Sequence, residues 1–145
     1  MKRQYSIPTT APVITVSLVP IHGGDVVAFE VTAREARGVW LPWTTLEFGQ
    51  SPWESASILA DEWCDGQEIA IDLVDAISIL DGDAWELAIV FRARLAALPS
   101  AKADRVPVAA RDHGDSLRNP FSAADVSRWA QAPGPARERS VPLVF

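Results

Sequence analysis

Three acidic side chains near the middle of the chain have the chemistry of a general acid, a general base or a metal ligand. Glu47 precedes a predicted helix, and Asp61 and Glu62 lie within it. A positioned carboxylate can transfer protons, and several together can hold a hard divalent cation. The alternatives are structural: Asp61 shares a solvated helix face with Asp65, and Glu47 caps the chain or pairs with an arginine.

Tryptophan is the second unusual feature, because the chain has six tryptophans and one tyrosine. An indole ring offers a large apolar surface and one N–H donor, which suits flat or hydrophobic ligands. For each ring the alternative is ordinary core packing. Five of the six crowd the middle of the chain: Trp40, Trp43, Trp53, Trp63 and Trp85.

The remaining reactive side chains favour structural roles. His22 falls in a predicted turn and His113 in a long loop, where solvated histidines are the expectation. Cys64 is the only cysteine, so no internal disulfide can form, and we expect a buried, inert thiol. Four arginines could clamp an anion, with salt bridges as the alternative: Arg34, Arg37, Arg92 and Arg94.

Composition excludes several classes of function. The net charge is −6 and Lys and Arg form no dense run, which argues against nucleic acid as a partner. The N-terminus has no apolar stretch typical of a signal peptide, and no apolar run approaches the roughly 20 residues of a membrane helix. We therefore expect a cytoplasmic protein with a small-molecule partner and no membrane partner.

The pattern of elements predicts an α+β domain. Alternating apolar residues predict strands, and two helices are predicted at 52–64 and 122–131. Ser51 and Pro52 are suited to begin the first helix, with Glu54 completing a capping box. The predicted order is three strands, a helix, two strands, a loop and a second helix. Because strands and helices do not alternate regularly, this order favours a mixed sheet over a doubly wound one. The predicted organisation is a lead-in at 1–12, a domain at 13–132 and a proline-containing tail at 133–145.

The segment 41–56 carries a family resemblance. Its Leu41-Pro42-Trp43-Thr44, its Gly49-Gln50-Ser51-Pro52 and the alanine-containing helix that follows resemble the start of a Nudix box. The strand 86–95 and the late helix around Trp129 have counterparts in that family. The resemblance implies a Nudix-like mixed, curved sheet sandwiched between helices, and a homodimer as one assembly.

The resemblance breaks at the catalytic signature. In the family, glutamates of this helix bind Mg²⁺ or Mn²⁺, which activates water against a diphosphate. In the alignment on Gly49 and Ser51, Ile58 takes the arginine position, and the acidic pair becomes Glu62 followed by Trp63. Too few oxygen ligands remain, so we predict no metal and no cofactor. Mg²⁺ is the alternative.

These observations predict a protein that has lost metal-dependent diphosphate hydrolysis and that holds a small apolar or aromatic metabolite. The predicted catalytic residues are Glu62, Glu47 and Asp61, and the predicted ligand-binding residues are Trp43, Trp63, Trp40, Trp85 and Ile58. Trp43 and Trp63 stand where the family has a glycine and a glutamate that face substrate. One version is a metal-independent isomerase, cyclase or hydrolase of specialised metabolism. The alternatives are a non-catalytic binding or regulatory module, and a divergent Mg²⁺-dependent hydrolase of nucleoside diphosphate derivatives.

Overall fold

A computed structural model describes residues 11–133 of the 145-residue chain. Most of the predicted lead-in and tail therefore lies outside the described residues. The strands are β1 (Val13–His22), β2 (Asp25–Val31), β3 (Gly38–Trp40), β4 (Trp43–Thr45), β5 (Ala70–Asp81), β6 (Ala84–Arg94) and β7 (Arg105–Ala109). The helices are α1 (Pro52–Trp63) and α2 (Ala123–Gln131), with short 3₁₀ turns at Arg34–Ala36 and Ala110–Asp112.

The strands form a mixed sheet in the order β3-β2-β1-β6-β5, with β4 paired to β1 and β7 paired to β2. β1 and β6 run parallel, and every other pair is antiparallel. β1 and β2 pair only next to the Gly23-Gly24 turn, where both glycines have positive φ. Beyond that point β1 pairs with β4 and β2 pairs with β7, so the hairpin opens and the sheet curves. The α+β prediction is confirmed.

Two hydrophobic cores cover the two faces of the sheet because side chains alternate along each strand. The face under α1 buries Val16, Leu18, Phe29, Leu59 and Phe91, among others. The opposite face, under α2, buries Val19, Ala28, Val90, Val126 and Trp129, among others. The two α-helices of the described residues therefore pack on opposite faces of one sheet.

Local sequence explains where α1 begins and ends. The Ser51 side chain accepts a hydrogen bond from the Trp53 amide at 3.2 Å, and Pro52 occupies the first turn. The predicted capping box is not formed, since the cap bond goes to Trp53. Ala56 and Ala60 are buried, and these small side chains bring the helix close to the sheet. Asp65 and Gly66, both at positive φ, end the helix.

α2 is secured at both ends. Ser122 and Asp125 form a capping box at its start. At its end the buried Arg92 donates to the Trp129 carbonyl at 3.2 Å, and it pairs with Asp72 at 3.1 Å. Arg92 therefore takes the salt-bridge role rather than that of an anion clamp. None of the helices within residues 11–133 is both long and apolar enough to cross a membrane.

Candidate functional site

The three predicted catalytic carboxylates lie on the surface near α1. Asp61 and Glu62 are exposed on the last turns of the helix, and Glu47 is exposed in the connection between β4 and α1. The backbone carbonyl of Glu62 accepts a hydrogen bond from Arg105, but its carboxylate forms no ion pair within residues 11–133.

This arrangement does not fit the divalent metal that the fold implies. Within residues 11–133, no group of three or more His, Cys, Asp or Glu side chains is placed to hold a metal ion. Ile58 lies on the same helix with 47% of its surface exposed, and it has no ligand atom to offer. A hard cation needs several oxygen ligands, so we derive no chemical step through a metal.

Trp63 closes the end of α1 against the sheet. Its ring meets Phe29 of β2 edge to face, with the centroids 5.1 Å apart. The Arg105 guanidinium carbon lies 4.3 Å from the centroid of the same ring. An indole that contacts both an aromatic ring and a cation of the same domain is engaged in packing. Its predicted role in ligand binding receives no support from these contacts.

Two adjoining cavities open instead on the α2 face of the sheet. The smaller one, of 220 Å³, is lined by Ser17, Trp40, Trp43, Glu86, Arg118, Asn119 and Pro120. The larger one, of 430 Å³, shares Trp43, Glu86 and Pro120, and its further lining includes Val13, Thr15, Ile79, Asp81, Asp83 and Trp85. We name the two together the tryptophan groove. Sizes of this order are typical of small-molecule sites.

Two stacked indoles form one wall of the tryptophan groove. The Trp40 and Trp43 rings have centroids 6.1 Å apart and planes inclined by 28°. Trp40 is anchored because its Nε1 donates to the Ala36 carbonyl at 2.7 Å. The Trp43 indole N–H forms no hydrogen bond with residues 11–133, and the side chain is 42% exposed. A large, exposed, stacked indole beside a cavity offers an apolar platform to a planar molecule.

The buried Asn119 positions this pair of rings. Its Oδ1 accepts from the Leu41 amide at 2.8 Å, and its Nδ2 donates to the Leu41 carbonyl at 3.2 Å. Leu41 lies between the two tryptophans in sequence, so this pair of hydrogen bonds holds the β3–β4 connection in place. The amide links the loop before α2 to the wall of the groove over a sequence distance of 78 residues.

Glu86 brings a carboxylate to the floor of both cavities. It lies on the same face of β6 as the buried Ala88 and Val90, because alternate residues of a strand share a face. The Thr15 hydroxyl, on the adjacent strand β1, donates to Glu86 Oε2 at 2.8 Å. Thr15 is only 2% exposed, so the donor is rigidly held and fixes the orientation of the carboxylate.

Trp85 borders the larger cavity but points away from Glu86. Neighbouring residues of a strand face opposite sides of the sheet, and the Trp85 Nε1 donates to Ser78 Oγ on β5 at 2.8 Å. The structure therefore brings Trp40 and Trp43 together with Glu86. It does not bring Glu47, Asp61, Glu62, Trp63 or Ile58 to either cavity.

Sequence reasoning missed most of the polar residues of this site, among them Ser17, Glu86, Arg118 and Asn119. A signal for Glu86 was present, since a charged residue in phase with Ala88 and Val90 on a predicted strand occupies an inward position. Arg118 and Asn119 follow a loop rich in polar residues and carry no local signal. Gly38 explains the placement of Arg118, because a Cβ at position 38 would lie 2.5 Å from the Arg118 Cγ.

A further cavity of 460 Å³ lies between α2 and the β1–β2 turn. Small and apolar side chains make up most of its lining. Its charged pair, Arg111 and Asp25, is joined by an ion pair of 2.6 Å. No free charged group of that pair is left for chemistry, so we take the tryptophan groove as the candidate site.

Comparison with solved structures identifies the fold. A NUDIX hydrolase from Nitrosomonas europaea superimposes with a TM-score of 0.63 and 16% identity, over 82% of this chain and 88% of that one. A MutT NUDIX hydrolase from Burkholderia pseudomallei gives 0.56 and 18% identity, over 86% and 100%. A UDP-X diphosphatase gives 0.62 and 15% identity, over 86% and 64%.

The chain therefore has the Nudix fold, as its resemblance to the box had indicated. Comparison with family models gives no match, and comparison with curated proteins gives none either. At identities of 18% and below, structural likeness shows the fold and carries no activity across. Function has to be argued from the site.

Proposed function

We propose that this Nudix-fold protein binds a small, largely apolar or aromatic metabolite in the tryptophan groove, without metal-dependent diphosphate hydrolysis. The observation that carries the proposal is the stacked Trp40–Trp43 pair beside a cavity that also contains Glu86. The indoles supply apolar contact area, and the carboxylate supplies one directed polar contact. Apolar walls with a few placed polar groups are the usual composition of a ligand site.

The loss of the hydrolase chemistry follows from the donor set on α1. Diphosphate hydrolysis on this fold needs a metal to activate water and to neutralise charge. Ile58 and Trp63 supply no oxygen ligands, and Trp63 is engaged with Phe29 and Arg105. Glu62 with Asp61 and Glu47 would have to serve alone, which makes the Mg²⁺-dependent hydrolase the weaker hypothesis.

A metal-independent enzyme is the second candidate, and Glu86 is the observation that favours it. A carboxylate fixed by one buried hydroxyl at 2.8 Å still has a second oxygen with which to take or give a proton. Isomerisation, cyclisation or hydrolysis of a bound metabolite would each need such a group. In this version Glu86 takes the role that the sequence assigned to Glu62, Glu47 and Asp61.

The binding proposal is tested by screening small aromatic and apolar compounds against the protein by NMR and following the indole N–H signals. Compounds that bind should perturb the signal of Trp43, and Trp43→Ala should lower their affinity by about tenfold or more, as expected for an aromatic anchor in a site. Trp53→Ala is the matched control, because Trp53 is 50% exposed and lies outside the groove. Equal losses in the two variants would contradict the proposal.

A further inference from the structure

The charges around the tryptophan groove are unbalanced. Among residues 11–133, three carboxylates line the larger cavity, those of Asp81, Asp83 and Glu86, and no lysine, arginine or histidine of that range lines it. Within residues 11–133 none of the three forms an ion pair. Arg118 borders only the smaller cavity. The described lining of the larger cavity therefore presents a negative field to an incoming group and supplies no counter-charge of its own.

The polar groups of the smaller cavity add a second, independent observation. Ser17 lines that cavity and is only 2% exposed. Among the described residues its hydroxyl has no hydrogen-bond partner, although Thr15, two residues earlier on the same face, is bound to Glu86. Because Ser17 borders the cavity, its hydroxyl is available for a hydrogen bond with a polar group bound there.

The tryptophans fit the same kind of ligand. The face of an indole ring carries negative electrostatic potential and attracts a cation placed above it. Trp43 and Glu86 both line each of the two cavities. A positive group beside Glu86 would thus meet a carboxylate and an aromatic face together. An anion in the same place would be repelled by both.

We propose that the ligand of the tryptophan groove is an organic cation: an amine whose ammonium group pairs with Glu86 and whose apolar or aromatic body packs on Trp43. This inference rests on the proposed function and narrows its ligand class. It also gives a second reason against diphosphates, because their charge is opposite to the one that the larger cavity favours. The Ser17 hydroxyl, which borders the smaller cavity, forms one further hydrogen bond with the polar part of the molecule.

Three probes of nearly the same shape separate the charge from the aromatic body: phenethylamine, phenethyl alcohol and hydrocinnamate. Each carries a phenyl ring on a two-carbon chain, and they are respectively cationic, neutral and anionic. Their affinities are measured by NMR titration of the Trp43 indole signal, which is identified by its loss in Trp43→Phe. Phenethylamine should bind about tenfold more tightly than the alcohol, and hydrocinnamate should bind most weakly, as expected for a charge-assisted contact.

Glu86→Gln then tests the partner of the ammonium group. It should lower the affinity for phenethylamine by about tenfold and change that for phenethyl alcohol by less than about twofold. Glu68→Gln is the matched control, since it removes the same charge from an exposed residue outside the groove. The control should leave both affinities unchanged.

The outcomes distinguish this inference from the proposed function. If the alcohol or hydrocinnamate binds at Trp43 as tightly as the amine, or if Glu86→Gln and Glu68→Gln act alike, the cationic ligand is wrong and the binding site stands. If none of the three probes perturbs Trp43 at the highest soluble concentration, both proposals are overturned.

Discussion

The Thr15 hydroxyl donates to Glu86 Oε2 at 2.8 Å across the parallel pair of β1 and β6. The two residues are 71 positions apart in sequence, and they meet because Ala88 pairs with Thr15 in the register of these strands. Glu86 is two residues before Ala88 and on the same face. Among residues 11–133, Glu86 is the one carboxylate that lines both cavities, and this bond fixes its orientation.

The strength of this bond can be measured with a double-mutant cycle on Thr15→Val and Glu86→Ala. Valine retains the shape of threonine but has no donor, so each single variant removes the same interaction. We expect a coupling energy of about 1 kcal/mol, the usual size for one hydrogen bond between partly buried groups. The cycle is measured by urea unfolding. Additive single changes, with no coupling, would show that the hydroxyl does not hold the carboxylate.

Divalent metal should leave the protein unaffected. A ligand raises thermal stability only when it binds the folded state at the concentration used, and residues 11–133 contain no group of three or more side chains placed to hold a metal. Saturating Mg²⁺ or Mn²⁺ should therefore shift the melting temperature by less than about 1 °C. A saturable rise of several degrees in the wild type, abolished in Glu62→Gln, would support the Mg²⁺-dependent hydrolase instead.

We predict that the ionised Asp75 side chain stabilises the fold and that this contribution to the free energy of unfolding is lost in acid. Burial raises the pKa of Asp75, but hydrogen bonds from the Trp129 indole at 2.7 Å, from Arg128 at 2.8 Å and from the Ala76 amide outweigh it and hold the pKa below its ordinary value. A carboxyl group with a lowered folded-state pKa stabilises the fold above its unfolded-state pKa of about 3.9. That stability is lost as the pH falls through the folded-state pKa.

The test is Asp75→Asn, which removes the charge and keeps one oxygen acceptor. At neutral pH it should lower the free energy of unfolding by about 1 kcal/mol or more, as for a weakened charge-assisted bond. The gap to the wild type should narrow below about pH 3.9. Asp61→Asn, on an exposed residue that forms no ion pair within residues 11–133, is the control and should leave the free energy of unfolding at neutral pH nearly unchanged. A gap that stays constant into strong acid would contradict the argument.

The thiol of Cys64 should be chemically inert in the folded protein. Burial is the main cause that raises its pKa to about 12, the nearby Asp65 carboxylate adds to the rise, and Arg105 opposes it. Because the thiolate is the reactive form, a thiol reagent at about pH 8 should label Cys64 only at the rate at which the protein opens. Labelling followed across a urea series should track the unfolding transition. Rapid, complete labelling of the native protein would show that the thiol is accessible.

The sequence by itself determined the features that depend on neighbouring residues. The start of α1 follows from the Ser51 cap and Pro52, and the first hairpin follows from two consecutive glycines. The alternation of apolar residues in β5 breaks at the adjacent Leu73 and Val74, and a bulge lies there, between Leu73 and Asp75. The same local patterns, in their order along the chain, were enough to indicate the Nudix fold.

Tertiary structure alone decided which chemical groups share a site. Trp63, at the end of α1, packs against the sheet because Phe29 of β2 and Arg105 of β7 contact its ring. Glu86 and Trp43 come together through strand pairing and through Asn119, which binds Leu41 from 78 residues away. No window of sequence contains both members of such contacts. Periodicity and capping residues indicate local conformation. A binding site depends on how distant strands pair, and the sequence of a strand does not identify the strand with which it pairs.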